Sequence, residues 1–240
     1  MLVLYGAKGA PNPRRVEIFL AEHNLELHYV EVSMARGEHK RGGRYETPNQ
    51  KIPMLTIPAA DGRGIVKLAE SVAICRYLEE AVASGTLRLF GETAMERATV
   101  EMWSRRCELE LMFGGVSKAW AHGPVLAPLA RRMKMVQHVS ELELGFKLSS
   151  SFLSMMDREL ATRPWVAGSS FSIADITLLC VLDFAAGPVN VPMQWDTWPC
   201  LKAWHQKMER RPSVQKHPNP YLQGTNPYRS AAQAKLKAAL

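Results

Sequence analysis

Apolar and polar residues follow different periods in the two parts of the chain. Up to about residue 83, short apolar or alternating runs end at turn-forming residues, as β-strands do. Between and after these runs, apolar residues recur every three or four positions, which indicates helices. The first part is therefore predicted to be a β-α-β-β-β-α unit. Its elements are a strand at 2–5, a helix from Pro13 with Asn12 as N-cap, a strand at 27–32, a hairpin at 54–57 and 65–68, and a helix that Glu70-Ser71 opens and that runs to about Val82.

Beyond Gly85 the strand pattern disappears and only helical periods remain. The sequence thus predicts an α+β fold with two domains, the second of them all-helical. The predicted boundaries are 1–83 for the mixed domain, 84–92 for a linker, 93–220 for the helical domain and 221–240 for a basic tail. The first two predicted helices cover 95–120 and about 126–160, and Ser149–Ser151 weaken the middle of the second. A third helix follows the capping-box spacing of Ser172 and Asp175 and is apolar. The last predicted helix is opened by Thr197 and stops near Arg211.

Composition excludes several classes of protein. The 240 residues are 47% hydrophobic and 22% charged, which suits a packed core and not a disordered chain. No apolar run approaches the roughly 20 residues that span a bilayer, and the N-terminus lacks a basic leader. The four cysteines lie far apart without a CxxC pair, which argues against a disulfide scaffold and an ordinary structural zinc site. We therefore expect a cytoplasmic protein without a metal.

The net charge of +7 does not indicate nucleic-acid binding, because of where it lies. From Lys202 onward there are eight Lys or Arg residues and one acid, Glu209, whereas residues 1–201 contain equal numbers of acidic and basic residues. The excess lies on the last helix and the tail, without the interleaved aromatic residues of a single-strand groove. We expect neither a nucleic acid nor a membrane as a partner.

Three motifs, in this order, resemble the cytosolic glutathione S-transferases. They are Lys51-Ile52-Pro53-Met54-Leu55, then Leu68-Ala69-Glu70-Ser71 with its helix, then Phe171-Ser172-Ile173-Ala174-Asp175-Ile176. The resemblance covers the chain from Leu2 to about Val214. It implies a thioredoxin-like first domain, a helical second domain and glutathione as co-substrate. It also implies a homodimer, formed through the helices that bear Arg76 and residues 103–106, although an ion pair of Arg106 with Glu110 inside one helix explains those charges equally well.

The same resemblance assigns residues to glutathione. In the family, the proline that matches Pro53 is cis, and the residue that matches Ile52 pairs through its backbone with the cysteinyl part of glutathione, like an added strand. Glu70 and Ser71 would bind the γ-glutamyl group at a helix N-terminus, with the glutamate on its ammonium. The candidates for the glycyl carboxylate are His39 and Lys51, and Lys40 besides them.

The sulfur site departs from the family's common patterns. Where those transferases carry a catalytic Tyr, Ser or Cys, the stretch 10–15 has no hydroxyl or thiol. It resembles an atypical fungal and bacterial branch in which a water, held by a Ser and a His of the helical domain, accepts the thiol proton. Ser117 and His122 match these two residues, provided that the helix ends or distorts between them. Asn12 is the candidate donor to the thiolate, and Tyr5 stays open as a third candidate.

The electrophile would bind against the first long helix. The predicted pocket is an apolar stripe at spacings of mostly three or four, formed by Met112, Phe113, Val116 and Trp120. The sequence therefore predicts a detoxifying enzyme that joins the glutathione thiolate to small apolar electrophiles. One alternative is a non-catalytic transferase-like binding or assembly module, which the missing hydroxyl favours, and another is a specialised glutathione-dependent lyase or isomerase.

Overall fold

The architecture was obtained as a computed structural model, which describes residues 1–219 and Tyr221. The chain forms two compact units. The first comprises Met1–Leu89 together with Pro212–Pro218, and the second comprises Phe90–Arg211 with Asn219 and Tyr221. Residues 212–218 thus belong to the first unit, whereas the boundaries predicted from the sequence include them in the helical domain. The other predicted boundaries stay predictions, and the predicted basic tail lies, apart from Tyr221, outside the described residues.

The first unit is built on a four-stranded mixed sheet, as the sequence predicts. The strands are β1 Val3–Gly6, β2 His28–Glu31, β3 Met54–Pro58 and β4 Ile65–Ala69. Their order is β2-β1-β3-β4, with β1 parallel to β2 and antiparallel to β3, and β3 antiparallel to β4. Leu4 of β1 lies opposite Leu55 of β3, and both side chains are buried.

Three helices complete the first unit. They are α1 Pro11–Glu22, α2 Ser71–Ala81 and the short C-terminal α9 Pro212–Lys216. The buried side chains of α1 include Val16 and Phe19, and those of α2 include Ile74 and Leu78. Helix α9 is attached to α1, since the Arg14 Nε donates to the carbonyl oxygen of His217 at 2.9 Å. The β-α-β-β-β-α prediction is therefore confirmed, and α9 is an addition to it.

The second unit is all-helical. The N-terminus of α7 has the predicted capping box, because Asp175 accepts from the Ser172 N–H and the Ser172 hydroxyl accepts from the first turn. The last long helix begins at Pro199 with Trp198 as N-cap, so the predicted cap at Thr197 is wrong by one residue. The helices are α3 Ala94–Arg106, α4 Ser117–His122, α5 Ala127–Arg132, α6 Val139–Leu160, α7 Ile173–Phe184 and α8 Pro199–Glu209, with π-helical segments at Cys107–Val116 and Ala185–Val189.

The predicted helix over 95–120 is present, but its middle is wider than an α-helix. Between α3 and α4, the segment Cys107–Val116 is π-helical. It contains Gly114 and Gly115, and glycine has a low α-helix propensity. A Cβ atom on Gly115 would collide with the hydroxyl of Ser149 on α6, so this glycine permits close packing of the two segments. Long-range packing therefore accompanies the distortion, which the apolar spacing does not reveal.

The predicted second long helix is interrupted, and at a different place from the one expected. Helix α5 ends at Arg132, Lys134 adopts a left-handed conformation with φ 54°, and α6 begins at Val139. The serines that weaken the sequence pattern lie inside unbroken α6. Ser149 is fully buried, and its hydroxyl donates to the carbonyl oxygen of Gly145 at 2.8 Å, so its polar group is satisfied within the helix.

Within residues 1–219 and Tyr221, no helix combines the length and apolar composition needed to cross a membrane. The same residues contain no group of three or more His, Cys, Asp or Glu side chains arranged to hold a metal ion.

Candidate active site

The N-terminus of α1 presents one backbone donor. The helix begins at Pro11 with Ala10 as N-cap, so the prediction that Asn12 caps a helix starting at Pro13 is wrong by two residues. Proline suits the first helical position because its missing N–H would be unpaired there, which explains the earlier start. Pro11 and Pro13 have no N–H, and that of Ala10 donates to Ala7. Within the described part of the chain, the N–H of Asn12 is the one donor in this first turn that has no acceptor.

An apolar cluster places this helix start beside Ile52. The buried side chains of Ala7, Val32 and Ile52 form the cluster. The partly buried residues packed against it are Tyr5, Ala10 and Tyr45. Tyr5 and Tyr45 have ring centroids 5.4 Å apart. Tyr5 is thus a packing residue of the cluster, and the N-cap of α1 and Ile52 lie on the same small apolar patch.

The loop before β3 leaves a short piece of backbone unpaired. The Ile52–Pro53 peptide bond is cis, which confirms that expectation. Among residues 1–219 and Tyr221, neither the N–H nor the C=O of Ile52 has a hydrogen-bond partner. Buried backbone groups are rarely left unpaired, and a free N–H and C=O on one residue accept an extended peptide as a sheet edge does. The geometry is that of a docking edge for a short peptide.

Glu70 and Ser71 open α2, where the sequence predicts them. Glu70 has φ 69°, an uncommon conformation for a residue other than glycine, and its exposed side chain accepts a hydrogen bond from Asn49 at 2.8 Å. Ser71 is buried, and its hydroxyl accepts from the Nη1 of Arg15 at 2.8 Å. The first-turn N–H groups of Ser71, Val72 and Ala73 have no acceptor in the described structure, so this helix end attracts an anion.

Sequence reasoning missed two side chains that support these positions. Arg15 comes from α1, 56 residues before its partner Ser71, and is 1% exposed. Asn49 donates to Glu70 and accepts from the Lys51 N–H at 3.1 Å, so it connects the loop before Pro53 to the start of α2. The charge of Arg15 on the buried face of an amphipathic helix was a usable signal, because arginine is seldom buried without a partner. Nothing local distinguishes Asn49.

The two candidates for the glycyl carboxylate differ in environment. His39 is buried, and its Nδ1 has no hydrogen-bond partner in the described structure. Burial, and then the nearby Lys40, lower the pKa of His39, so the ring is neutral at pH 7 and offers a hydrogen bond and no charge. Lys51 is exposed and carries the charge. Lys40 is engaged elsewhere, since its Nζ donates to the carbonyl oxygen of Gln50 at 3.2 Å.

In the helical unit, Ser117 and His122 do not share a face. They are the first and last residues of α4, and the distortion that was expected between them lies before Ser117 instead. Five residues of regular α-helix turn the second side chain by about 140° from the first. The Nδ1 of His122 accepts from the backbone N–H of His138 at 3.1 Å. The distortion that would bring the two side chains to one face is therefore not found within α4, and their role at a shared water stays a prediction.

The predicted electrophile stripe is also divided. Val116 is fully buried, whereas Phe113 is 58% exposed, and Met112 and Trp120 are half-buried. The π-helical segment has more than four residues per turn, so spacings of three and four no longer fall on one face. Trp120 packs against Phe184 at a centroid distance of 5.3 Å, and Phe184 lies 6.3 Å from Tyr221. Trp120, Phe184 and Tyr221 thus form an aromatic group, and Val116 belongs to the core.

Comparison with known proteins decides the family. Residues 4–86 match the family described as Glutathione S-transferase, N-terminal domain, and residues 141–212 match Glutathione S-transferase, C-terminal domain. Over 222 residues the chain is 34% identical to Glutathione S-transferase 2 of Saccharomyces cerevisiae, covering 90% of this chain and 88% of that relative. The chain belongs to the glutathione S-transferase family. The transferase is also 28% identical to Glutathione S-transferase GstB of Escherichia coli K12, over 90% of this chain and 97% of that protein.

A solved structure supports the same assignment. The crystal structure of Gtt2 from Saccharomyces cerevisiae superposes on this transferase with a TM-score of 0.76 and 30% identity, covering 90% of this chain and 100% of that one. The thioredoxin-like first domain, the helical second domain and the likeness to a fungal and bacterial branch are thereby confirmed. Family membership makes the chain an enzyme that uses glutathione as co-substrate.

The role of Asn49 can be tested by binding. Asn49→Ala removes the amide that holds the Glu70 carboxylate, and an exposed hydrogen bond of this kind contributes about 0.5–1 kcal/mol, so the Kd for glutathione should rise roughly two- to fivefold. Asn49→Asp places a second carboxylate beside Glu70 and should weaken binding further. Isothermal titration of the three proteins measures this order, and an alanine variant that binds like the wild type contradicts it.

Proposed function

We propose that this transferase holds glutathione along Ile52 and at the start of α2, keeps its thiol ionised at the start of α1, and lets the sulfur attack a small apolar electrophile. One observation carries the proposal. Ile52, whose N–H and C=O have no hydrogen-bond partner among the described residues, belongs to the apolar cluster against which Ala10, the N-cap of α1, packs. This packing supports the proposal that a cysteinyl residue paired with Ile52 would have its sulfur near the N–H of Asn12, which has no acceptor among the described residues.

The γ-glutamyl group is matched by opposite charges at the start of α2. Its carboxylate fits the unpaired N–H groups of the first turn, the Ser71 hydroxyl and the nearby Arg15 guanidinium. Its ammonium fits the exposed carboxylate of Glu70, which Asn49 positions. His39 would donate to the glycyl carboxylate and Lys51 would supply a charge to it.

Magnitudes favour Asn12 as the main stabiliser of the thiolate. A thiol of pKa about 8.5 needs roughly 2.7 kcal/mol of preferential thiolate stabilisation to reach a pKa two units lower. A helix N-terminus supplies about 0.3–1 kcal/mol, and one hydrogen bond to a charged group about 1.5–3 kcal/mol. The two together supply about 1.8–4 kcal/mol, a range that includes the required value, whereas the helix alone stays below it. The thiol proton then leaves to water.

The electrophile and the wider role follow from surfaces of the helical unit. The aromatic group of Trp120, Phe184 and Tyr221, with Met112, favours flat apolar electrophiles, and such an activity fits detoxification in the cytoplasm.

We also propose a homodimer, in which the exposed side chains of Met102, Leu109 and Phe113 become buried. Sedimentation equilibrium distinguishes a dimer from a monomer. Arg106 forms a bidentate pair with Glu110 within its own helix, so that charge is already explained.

The proposed site is tested by calorimetry with glutathione and by thioether formation with an activated aryl chloride. Glu70→Ala should raise the Kd about fivefold, near 1 kcal/mol, because the exposed position screens its pairing with the ammonium. The matched control is Glu80→Ala, which removes an exposed carboxylate at the other end of α2 and should leave the Kd unchanged. Equal affinity of wild type and Glu70→Ala would reject the site. Tight binding without thioether formation would favour the assembly module.

A further inference from the structure

An exposed apolar segment of the helical unit has no role in the proposed reaction. We call residues 128–140 the apolar–basic turn. Every residue in it except Ala130 and Gln137 is exposed to solvent. Its five large apolar side chains, which are between 37% and 69% exposed, are Leu129, Met133, Met135, Val136 and Val139. Single exposed apolar residues are ordinary, but five within eleven positions form a patch of the kind that marks a binding surface.

The charges of the turn all have one sign. Arg131, Arg132 and Lys134 alternate with its apolar side chains. No Asp or Glu occurs in the sequence from Leu111 to Ser140. The first carboxylate beyond the turn, Glu141, is paired with Lys118. The surface that the turn presents is therefore both apolar and positive.

Hydrogen bonds hold the turn in one shape. The left-handed conformation of Lys134 lets the Met135 N–H donate back to the Ala130 carbonyl at 2.9 Å, which closes the end of α5. The Gln137 amide donates to the carbonyl oxygens of Ala121 and Gly123, each at 2.9 Å. These hydrogen bonds fix the backbone of the turn before any partner binds. Binding of its apolar side chains therefore costs little backbone conformational entropy.

We propose that the apolar–basic turn docks reversibly on an anionic lipid bilayer, with its methionine and valine side chains in the headgroup region and its arginines and lysine at the lipid phosphates. This partner goes beyond the proposed function and replaces the expectation that the protein has no membrane partner. Apolar side chains flanked by Lys and Arg, without carboxylates, are the composition of segments that lie at an anionic interface.

The exposure pattern favours a bilayer over a protein partner. Apolar and charged side chains are exposed on neighbouring residues all along the turn, so its apolar side chains do not form a core free of charges. Protein interfaces use well-packed apolar cores from which charged residues are depleted. A lipid surface is deformable, and its phosphates match cations placed between the apolar groups. A second copy of the chain would instead bring the same three cations together.

Vesicle sedimentation tests the proposal with the full-length protein. We expect the protein to sediment with vesicles of phosphatidylcholine containing about one third phosphatidylserine and to bind pure phosphatidylcholine at least tenfold more weakly. Raising the salt from about 0.1 M to about 0.5 M should weaken binding to the anionic vesicles about tenfold, because the attraction is screened. Equal binding to both vesicle types, or no binding to either, would overturn the proposal.

Paired variants at the same positions assign the binding to this turn. The double variant Arg131→Glu with Arg132→Glu, and the single variant Val136→Asp, should each bind anionic vesicles at least about tenfold more weakly. The controls, Arg131→Lys with Arg132→Lys and Val136→Ile, keep the charge and the apolar character and should bind like the wild type. Unchanged binding by the first two variants would place the lipid contact elsewhere, for example on the basic tail. Self-association that Val136→Asp abolishes, without vesicle binding, would identify an interface between copies and reject the bilayer.

Discussion

Replacing Asp175 by alanine will lower the free energy of unfolding by about 3–5 kcal/mol. Asp175 is fully buried at the start of α7 and accepts hydrogen bonds from the Val166 N–H, the Ser172 N–H and hydroxyl, and the Trp204 indole, at 2.9–3.2 Å. Alanine leaves these donors buried without an acceptor, and each such group costs about 1–3 kcal/mol. Partial relaxation keeps the total near the usual cost of breaking a buried charged network.

A graded control separates this network from an ordinary helix contact. Asp157 of α6 is half-buried, and among the described residues its carboxylate accepts one hydrogen bond, from the Leu201 N–H of α8 at 2.8 Å. Asp157→Ala should therefore cost about 1 kcal/mol. Urea unfolding followed by circular dichroism measures both variants. Equal losses for the two would show that the network at Asp175 does not act as a unit.

The contribution of Asp175 to the free energy of unfolding decreases as the pH rises. Burial raises its pKa from 3.8 to about 6, although the hydrogen bonds from Val166, Trp204 and Ser172 oppose the rise. Between about pH 4 and pH 6 the folded protein thus binds a proton that the unfolded chain has lost, so Asp175 contributes less stability as the pH rises. The stability of the wild type relative to Asp175→Asn should decrease over this range and level off near pH 7. An increase in this relative stability would mean that the four hydrogen bonds lower the pKa of Asp175 by more than burial raises it.

Replacing Asn12 by proline will lower turnover at neutral pH about ten- to hundredfold with little change in the Kd for glutathione. The variant removes the N–H of Asn12, which has no acceptor within residues 1–219 and Tyr221, and a hydrogen bond to a charged group contributes about 1.5–3 kcal/mol. Proline is tolerated in a first helical turn, where this N–H has no partner in the helix. The acid limb of the pH–rate profile should move up by about one to two units.

Two control variants distinguish the backbone from the nearby side chains. Asn12→Ala removes the amide group and keeps the N–H, so its turnover should stay close to that of the wild type. Tyr5→Phe should do likewise, because Tyr5 packs against Tyr45 in the apolar cluster. If Asn12→Ala is as slow as Asn12→Pro, the side-chain amide holds the thiolate. If Tyr5→Phe is the inactive variant, the transferase uses a tyrosine mechanism.

Features encoded by neighbouring residues could be predicted from the sequence. The alternating runs predict the four strands, because side chains alternate across a sheet whatever it packs against. The capping box of Ser172 and Asp175 spans three residues and has the predicted geometry. The motif around Pro53 and the opening of α2 at Glu70-Ser71 identify the family and the two backbone features of the site. Each of these signals is local, so it survives without knowledge of the rest of the chain.

Features that depend on distant contacts required the tertiary structure. The approach of Gly115 to Ser149 accompanies the π-helical segment that divides the predicted electrophile stripe, and these residues are 34 positions apart. Arg15 reaches Ser71 from another helix, and no periodic pattern links two such positions. The sequence by itself thus determined the fold class, the sheet and the cis Ile52–Pro53 bond. Only the packing of remote segments decided which backbone N–H groups lack an acceptor among the described residues and which apolar side chains are exposed there, because burial is a property of the whole fold.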